Sequence, residues 1–321
     1  MRSGLLALLL AGCLSGHVAT AQTWPAKPVR LVAPAAPGGN PDVLARMLGA
    51  KLADTLGRPF LIENVPGAGG IVAAEQVAHA PADGYLFMLG DSGNLAINPN
   101  LNQKLGYQPL KDFTPVTALV AVPTVLIVHP SVPVNTLQEW IAYARARPGK
   151  LSYGSAGNGS IHHLTQVLFA SRTGIDLLHV PYKGGSAMVA AVLTNEVQAG
   201  WSGIPNVVPH MRAGKLKVLC ISTERRSASV PDIPTCGEAG VPGFDIATVI
   251  GLQGPAGVPR DIVDRLQTAV AGAIRDKDIA ERMSALGMEL REDGSDSYRQ
   301  FIRDDLDRYA AAIRATGLGR E

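Results

Sequence analysis

The sequence predicts an α/β protein of two domains joined by two crossing segments, and three observations carry that prediction. Short apolar, β-like runs alternate with stretches of helical periodicity along most of the chain. The 35 glycines and 23 prolines cluster just after those runs, where strands feed into helices. One long β-rich run, residues 116–128, divides two blocks of the same alternation, and a second apolar run, residues 246–252, leads back.

Taken in order, the chain opens with Arg2, an apolar run over residues 5–14 and the small residues Ala19-Thr20-Ala21, the pattern of an export signal cleaved near Ala21. The run is shorter than the ~20 residues that span a bilayer, and no later segment matches it. Residues 1–21 are therefore expected to be removed and the rest to be soluble in the periplasm. Leu10-Ala11-Gly12-Cys13 also has the form of a lipoprotein box, which leaves lipidation at Cys13 open as an alternative.

The first block starts with a strand at 29–33, a Pro/Gly loop, and Val43, Leu44, Met47, Leu48, Leu52 and Leu56 at helical spacing up to Gly57. Residues 60–63 and a helix at about 70–80 repeat that unit, and residues 86–89 begin a third. The run at 116–128, broken only by Pro123, reads as a strand that passes into the second domain. There the spacing predicts helices at 136–147, 161–173 and about 187–193, and strands at 151–154, 177–180, 197–201 and 216–222. After 246–252 come helices at 260–275, 279–286 and 297–315. These last helices have no sheet of their own, so they are expected to pack on the first domain. That makes 22–123 with 246–321 one discontinuous domain and 124–245 the other, a two-connection hinge suited to closing around a ligand.

Charge narrows the partners. Lysines and arginines are scattered among acids at a formal net charge of +2, with no basic stripe, which argues against nucleic acid and anionic membrane. No cofactor motif is present. His162-His163 could suggest a metal, but adjacent helical residues face different ways and no ligand spacing accompanies them, so a capping or packing role is preferred and no metal is assigned. Of the three cysteines, Cys220 and Cys236 survive signal removal. The periplasm would let them pair; their surroundings read better as two buried thiols.

The loops carry the chemistry. Pro37-Gly38-Gly39-Asn40-Pro41-Asp42 lies between a strand and a helix, where glycine lets backbone approach a ligand and Asn40 or Asp42 can cap the helix. Free N–H groups at such a helix start attract an anion. Gly67-Ala68-Gly69-Gly70, Ser155-Ala156-Gly157-Asn158-Gly159-Ser160 and Pro181-Tyr182-Lys183-Gly184-Gly185 repeat the arrangement, the last adding a phenol and one cation. Each alone is also what a tight turn looks like. Four of them at the carboxyl ends of strands in two facing domains point to a ligand, because open α/β sheets bind there.

In the same order, Val29-Arg30-Leu31-Val32, Pro37-Gly38-Gly39, Glu63-Asn64, Pro66-Gly67-Ala68-Gly69-Gly70, Asp83-Gly84-Tyr85, Ala96-Ile97-Asn98-Pro99, the 155–160 and 181–185 loops, Ala213-Gly214-Lys215-Leu216, Pro231-Asp232-Ile233-Pro234-Thr235 and Pro255-Ala256-Gly257-Val258-Pro259 resemble the Bug family. These are the extracytoplasmic solute receptors of tripartite tricarboxylate transporters. The resemblance implies a type II periplasmic-binding-protein fold with ligand in the cleft, a carboxylate gripped by loop backbone and waters, and a two-subunit membrane permease as partner to a monomeric, non-enzymatic receptor. By position it implies contacts from Ala35, Pro37, Gly38, Gly39 and Asn40, from Gly67, Ala68, Gly69 and Gly70, from Ser92 nearby, and from Ser155, Asn158, Ser160 and Tyr182 across the cleft. Lys183 is placed at the site rim.

Two departures from the family pattern bear on the ligand. The second loop has Val65 where many relatives carry Arg, and Trp201-Ser202 stands where many carry an aromatic-Asp pair. Ser202 lacks the anion that a ligand ammonium needs, so the expected cargo is a mono- or dicarboxylate without an amino group, with its apolar body on Trp201 or with Trp201 buried in a strand. Two other readings stand beside uptake. One is a sensor input to a signalling partner. The other is a serine hydrolase using Ser92 with the Asp176 and His179 pair, against which the odd strand spacing of that pair argues.

Overall fold

In a computed structural model, the protein is described over residues 24–316 apart from 36, 39, 103 and 183. The export segment, Cys13, Gly39 and Lys183 lie outside the described residues. The first strands are β1 (Val29–Ala33), β2 (Phe60–Asn64) and β3 (Leu86–Asp91), with α1 (Asn40–Leu56) and α2 (Ile71–Ala78) between them. A π-helical turn at Gly93–Ile97 runs into α3 (Asn98–Leu101), and α4 (Pro109–Asp112) precedes the 16-residue β4 (Phe113–Val128). Then follow α5 (Leu137–Arg145), β5 (Ser152–Ser155), α6 (Ile161–Thr173), β6 (Leu178–Pro181), α7 (Gly185–Leu193), β7 (Ala199–Gly203), α8 (Ile204–Arg212) and β8 (Lys217–Ile221). The chain returns through β9 (Ala247–Pro255) to α9 (Arg260–Ile274), α10 (Lys277–Ala285), β10 (Glu289–Leu290) and α11 (Ser295–Thr316).

β4 belongs to two sheets. Its first part pairs antiparallel with β9, extending the order β2-β1-β3-β9-β4, in which β1, β2 and β3 are mutually parallel. Its last residues, Thr124 to Val128, pair instead with β7 and β8, and β7-β5-β6 runs parallel beyond them. The change of partner falls just after Pro123, where a missing N–H costs the ladder least. β4 is apolar and buried almost end to end because both of its faces lie inside a domain.

At the crossing, Ser222 ties the two connections together. Its N–H donates to the Thr124 carbonyl and its hydroxyl to the Ile246 carbonyl, while it accepts from the Thr124 N–H at 3.0 Å. Ser222 is fully buried, so each of these groups would be unmet without the others.

Each sheet has an apolar core on either face, and a fifth cluster lies between the domains. In it Leu164 of α6 meets Ala96 and Ile97 of the π turn and Tyr309, Ala312 and Ile313 of α11. The C-terminal helices were expected on the first domain; α9 and α10 lie there, whereas α11 also packs along α6 of the second. The reason is its second apolar face, one face serving the first sheet through Tyr298 and Ile302, the other serving α6. A second correction concerns the cysteines: Cys220 and Cys236, both fully buried, form a disulfide with Cα atoms 5.2 Å apart. The isolated bridge from Ile221 to Thr235 brings them together across 16 residues, a pairing that local sequence does not reveal.

Candidate functional site

In the first domain the β1–α1 loop is shaped from within. Asp42, 2% exposed, turns its carboxylate back to the Gly38 N–H at 2.8 Å and also accepts from Asn64 and Arg46. Burial works against its charge, yet those donors together hold the carboxyl below its usual range. Asp42, not the exposed Asn40, thus closes the loop; Pro37 and Gly38 stay exposed, and the Ala35 carbonyl is taken by the Asn64 amide. Gly67, Gly69 and Gly70 all have positive φ, at 136°, 64° and 88°. The turn closes through Gly70 N–H to the Gly67 carbonyl, and Asn98 donates to the Gly69 carbonyl. Gly70 precedes α2 with no side-chain cap, so the first N–H groups of that helix point out unmet by a capping side chain, beside the backbone of Ala68.

Ser92 is taken up by the fold. It is 3% exposed, donates to Asp305 of α11 at 2.9 Å and accepts from the Val249 N–H. The family resemblance put it near the ligand by position, but partners more than 150 residues away take up its hydroxyl.

Across the cleft, Ser155 and Ser160 build the loop rather than face outward. Both hydroxyls donate to the Gly157 carbonyl, and Ser160 caps α6 through the His163 N–H. Behind them His163 and His179 stack with ring centroids 4.0 Å apart; His163 Nδ1 accepts the Gly159 N–H and His179 Nε2 meets the Ser155 hydroxyl at 2.6 Å. Burial, then the neighbouring His179, pushes His163 down to about 4, so it is a neutral acceptor at ordinary pH. Asn158 alone in this loop is exposed. Tyr182 packs its ring on the domain core and donates to Glu196 at 2.9 Å. Trp201 is likewise a core residue, 0% exposed between Phe169 and Phe244, its indole N–H on Gln166; it offers no platform to a ligand.

Sequence reasoning missed several unmet polar atoms on α6 and β7. His162 Nδ1, Thr165 Oγ1, Gln166 Nε2 and Ser202 Oγ are shielded from solvent without a partner. Each such atom costs about 1–3 kcal/mol. His162, held neutral and down to about 4 by burial, lies against Gly185 at the start of α7. Both α7 and α8 begin at glycines without a side-chain cap. The periodicity of α6 could have shown His162, Thr165 and Gln166 on one face, but nothing local marks them as unpaired.

The two domains touch on both sides of these loops. Gly159 lies directly under Leu101, and a Cβ at Gly287 would sit 2.9 Å from that of Ile204. Ser92 meets a carboxylate rather than an imidazole, and Ser155, which does meet His179, is wholly buried with its hydroxyl on its own loop. Neither presents a nucleophile. Among the described residues no group of three or more His, Cys, Asp or Glu could hold a metal, and no helix is long and apolar enough to cross a membrane.

The sequence pattern of the tripartite tricarboxylate transporter family receptors matches residues 44–318. The chain is 35% identical to Protein BugT of Bordetella pertussis over 299 residues, 93% of this chain and 92% of that one. Among solved structures it is similar to R. palustris Rpa4515 with adipate, at 35% identity and a TM-score of 0.80 over 92% and 98% of the two chains. It is also similar to MatC from Rhodopseudomonas palustris with bound malate, at 34% identity and 0.76 over 90% and 99%. The periplasmic binding protein BugD aligns over 93% of this chain and all of its own at 30% identity and 0.77. The fold is therefore the two-domain α/β fold of periplasmic binding proteins.

Proposed function

The chain belongs to the tripartite tricarboxylate transporter family of receptors, and from that premise we propose that it is a periplasmic receptor that captures a small organic carboxylate between its domains and passes it to a two-subunit membrane permease. The observation that carries the reading is the pairing of two uncharged, backbone-rich loop sets at the carboxyl ends of parallel strands. On one side are Gly38 and the positive-φ run Gly67 to Gly70; on the other are Asn158 and the α6 start. Such loops offer N–H donors and helix N-termini to a carboxylate. Adipate and malate in the related structures support the ligand class.

In this reading residues 22–123 with 246–321 close against 124–245 about the Thr124, Ser222 and Ile246 node. The export signal is removed near Ala21. The cargo lacks an amino group, because Ser202 supplies no charge to an ammonium. A thermal-shift screen of refolded mature protein tests this against mono-, di- and tricarboxylates, aromatic acids and amino acids. An acid at about 100 times its dissociation constant adds ~2.7 kcal/mol and moves the midpoint by several degrees. Selective stabilisation by aspartate or glutamate over their des-amino analogues would overturn the ligand class, and no response to any acid would overturn the receptor reading.

A further inference from the structure

Resting on that receptor reading, we infer that His163 is a positioning residue for acid binding: from behind the 157–160 turn, its imidazole sets the backbone that the second domain offers to the acid. Gly157 and Gly159 stand at φ 124° and 70°, so the turn has little shape preference of its own and depends on what fastens it. Ser155 and Ser160 fasten it at the Gly157 carbonyl. The other fastening is the buried bond from the Gly159 N–H to His163 Nδ1, at 3.1 Å. A buried N–H without an acceptor is costly, so this bond decides where Gly159 sits. On its other side Gly159 meets Leu101 of α3, so it is held between an imidazole of its own domain and a leucine of the first, with the exposed Asn158 beside it.

The state of the ring is fixed chemically. A backbone N–H only donates, so Nδ1 is bare and the single ring proton is on Nε2; a proton on Nδ1 would set two donors against each other. The titratable groups that face His163 are His179 of β6, stacked on it with 6° between the planes, and Tyr153 of β5, with centroids 6.4 Å away. Its chain neighbour His162 lies against Gly185 instead. No carboxylate is among the groups that shift His163, and burial together with His179 keeps it neutral. Burial also holds the His179 imidazole down and the Tyr153 phenol up, so the stack is uncharged at ordinary pH. His179 in turn meets the Ser155 hydroxyl at 2.6 Å, which ties the stack to the start of the same loop. These histidines therefore act on an acid through the backbone they hold, not as its counter-charge.

The test is calorimetric titration of the refolded protein with malate and the straight-chain dicarboxylates from succinate to suberate. His163→Phe keeps a flat ring in the stack and removes the acceptor, whereas His163→Asn supplies a side-chain oxygen near the place of Nδ1. The expected result is an affinity at least ~10-fold weaker in His163→Phe and within ~3-fold of the parent in His163→Asn. The ratio of parent to His163→Asn affinity, in which protonation of the acid itself cancels, is expected to stay constant between about pH 5.5 and 8. A parent that gains on that variant as the pH falls would mean a charged ring acting on the acid and would overturn the proposal. Imidazole nitrogen spectra of the parent, free and acid-saturated, are expected to show His163 neutral with its proton on Nε2; a charged ring or a proton on Nδ1 in the saturated protein would overturn it as well. Equal affinity in His163→Phe and the parent, or an equal loss in both variants, would overturn the positioning role while the receptor reading stands. Absence of binding by every acid would overturn both.

Discussion

Single residues divide the candidate site into bare backbone left open at the loops and side chains that build the walls. Gly70, at φ 88°, cannot take a side chain without strain, and a Cβ there would lie 3.0 Å from Asn94 and 3.2 Å from Pro34. Gly70→Ala is expected to cost about 1–2 kcal/mol in urea unfolding and to weaken acid binding, because the strained turn presents the α2 N–H groups. Ser92→Ala should behave differently. It removes the donor to a buried Asp305 carboxyl, costing about 1–3 kcal/mol, yet leaves acid affinity unchanged; a large loss of affinity without a loss of stability would return Ser92 to the ligand. The glycine loops were legible because positive φ has one cheap solution, and the chain repeats that solution wherever backbone must be bare. Ser92, Tyr182 and Trp201 were not, since their partners Asp305, Glu196 and Gln166 stand 213, 14 and 35 residues away and turn cleft candidates into fasteners.

Elements follow the same division. The limits of α6 were readable because Ser160 caps its start and Gly174, at φ 64°, ends it. The helix α8 was hidden by Pro205 in its first turn and Pro209 within it, residues that read as loop until the tertiary frame holds them. α6 also concentrates neutral histidines. His162 and His163 are held at about 4, below the unfolded value near 6.5, so the unfolded chain binds their protons first. Their contribution is full above about pH 6.5 and is lost as pH falls toward 4. Thermal midpoints should therefore drop across that window, and the drop should shrink in His162→Gln; a midpoint curve identical to the parent's would contradict the buried neutral state. The disulfide belongs to this scale as well. It fastens β8 to the segment that returns to the hinge, and the Cys220→Ala, Cys236→Ala pair is expected to lose about 3 kcal/mol, read as a lower denaturation midpoint.

At the scale of the molecule, two sheets share β4, a buried Ser222 joins the two crossing strands, and α11 lies along both domains. In the receptor reading, closure about that hinge brings the Gly67 to Gly70 turn and the α6 start toward one another. The overall architecture was legible because alternation of strand and helix, broken once by a long apolar strand, admits few chain paths. The double role of α11 was not, because a helix with two apolar faces does not name its partners. The receptor reading requires that one small acid be held by both domains at once. Amide hydrogen exchange of the refolded protein at saturating dicarboxylate checks that requirement, and slowed exchange at residues 67–73 and 157–163 together is the expected result. Protection confined to one domain, or none at either loop despite binding, would contradict it.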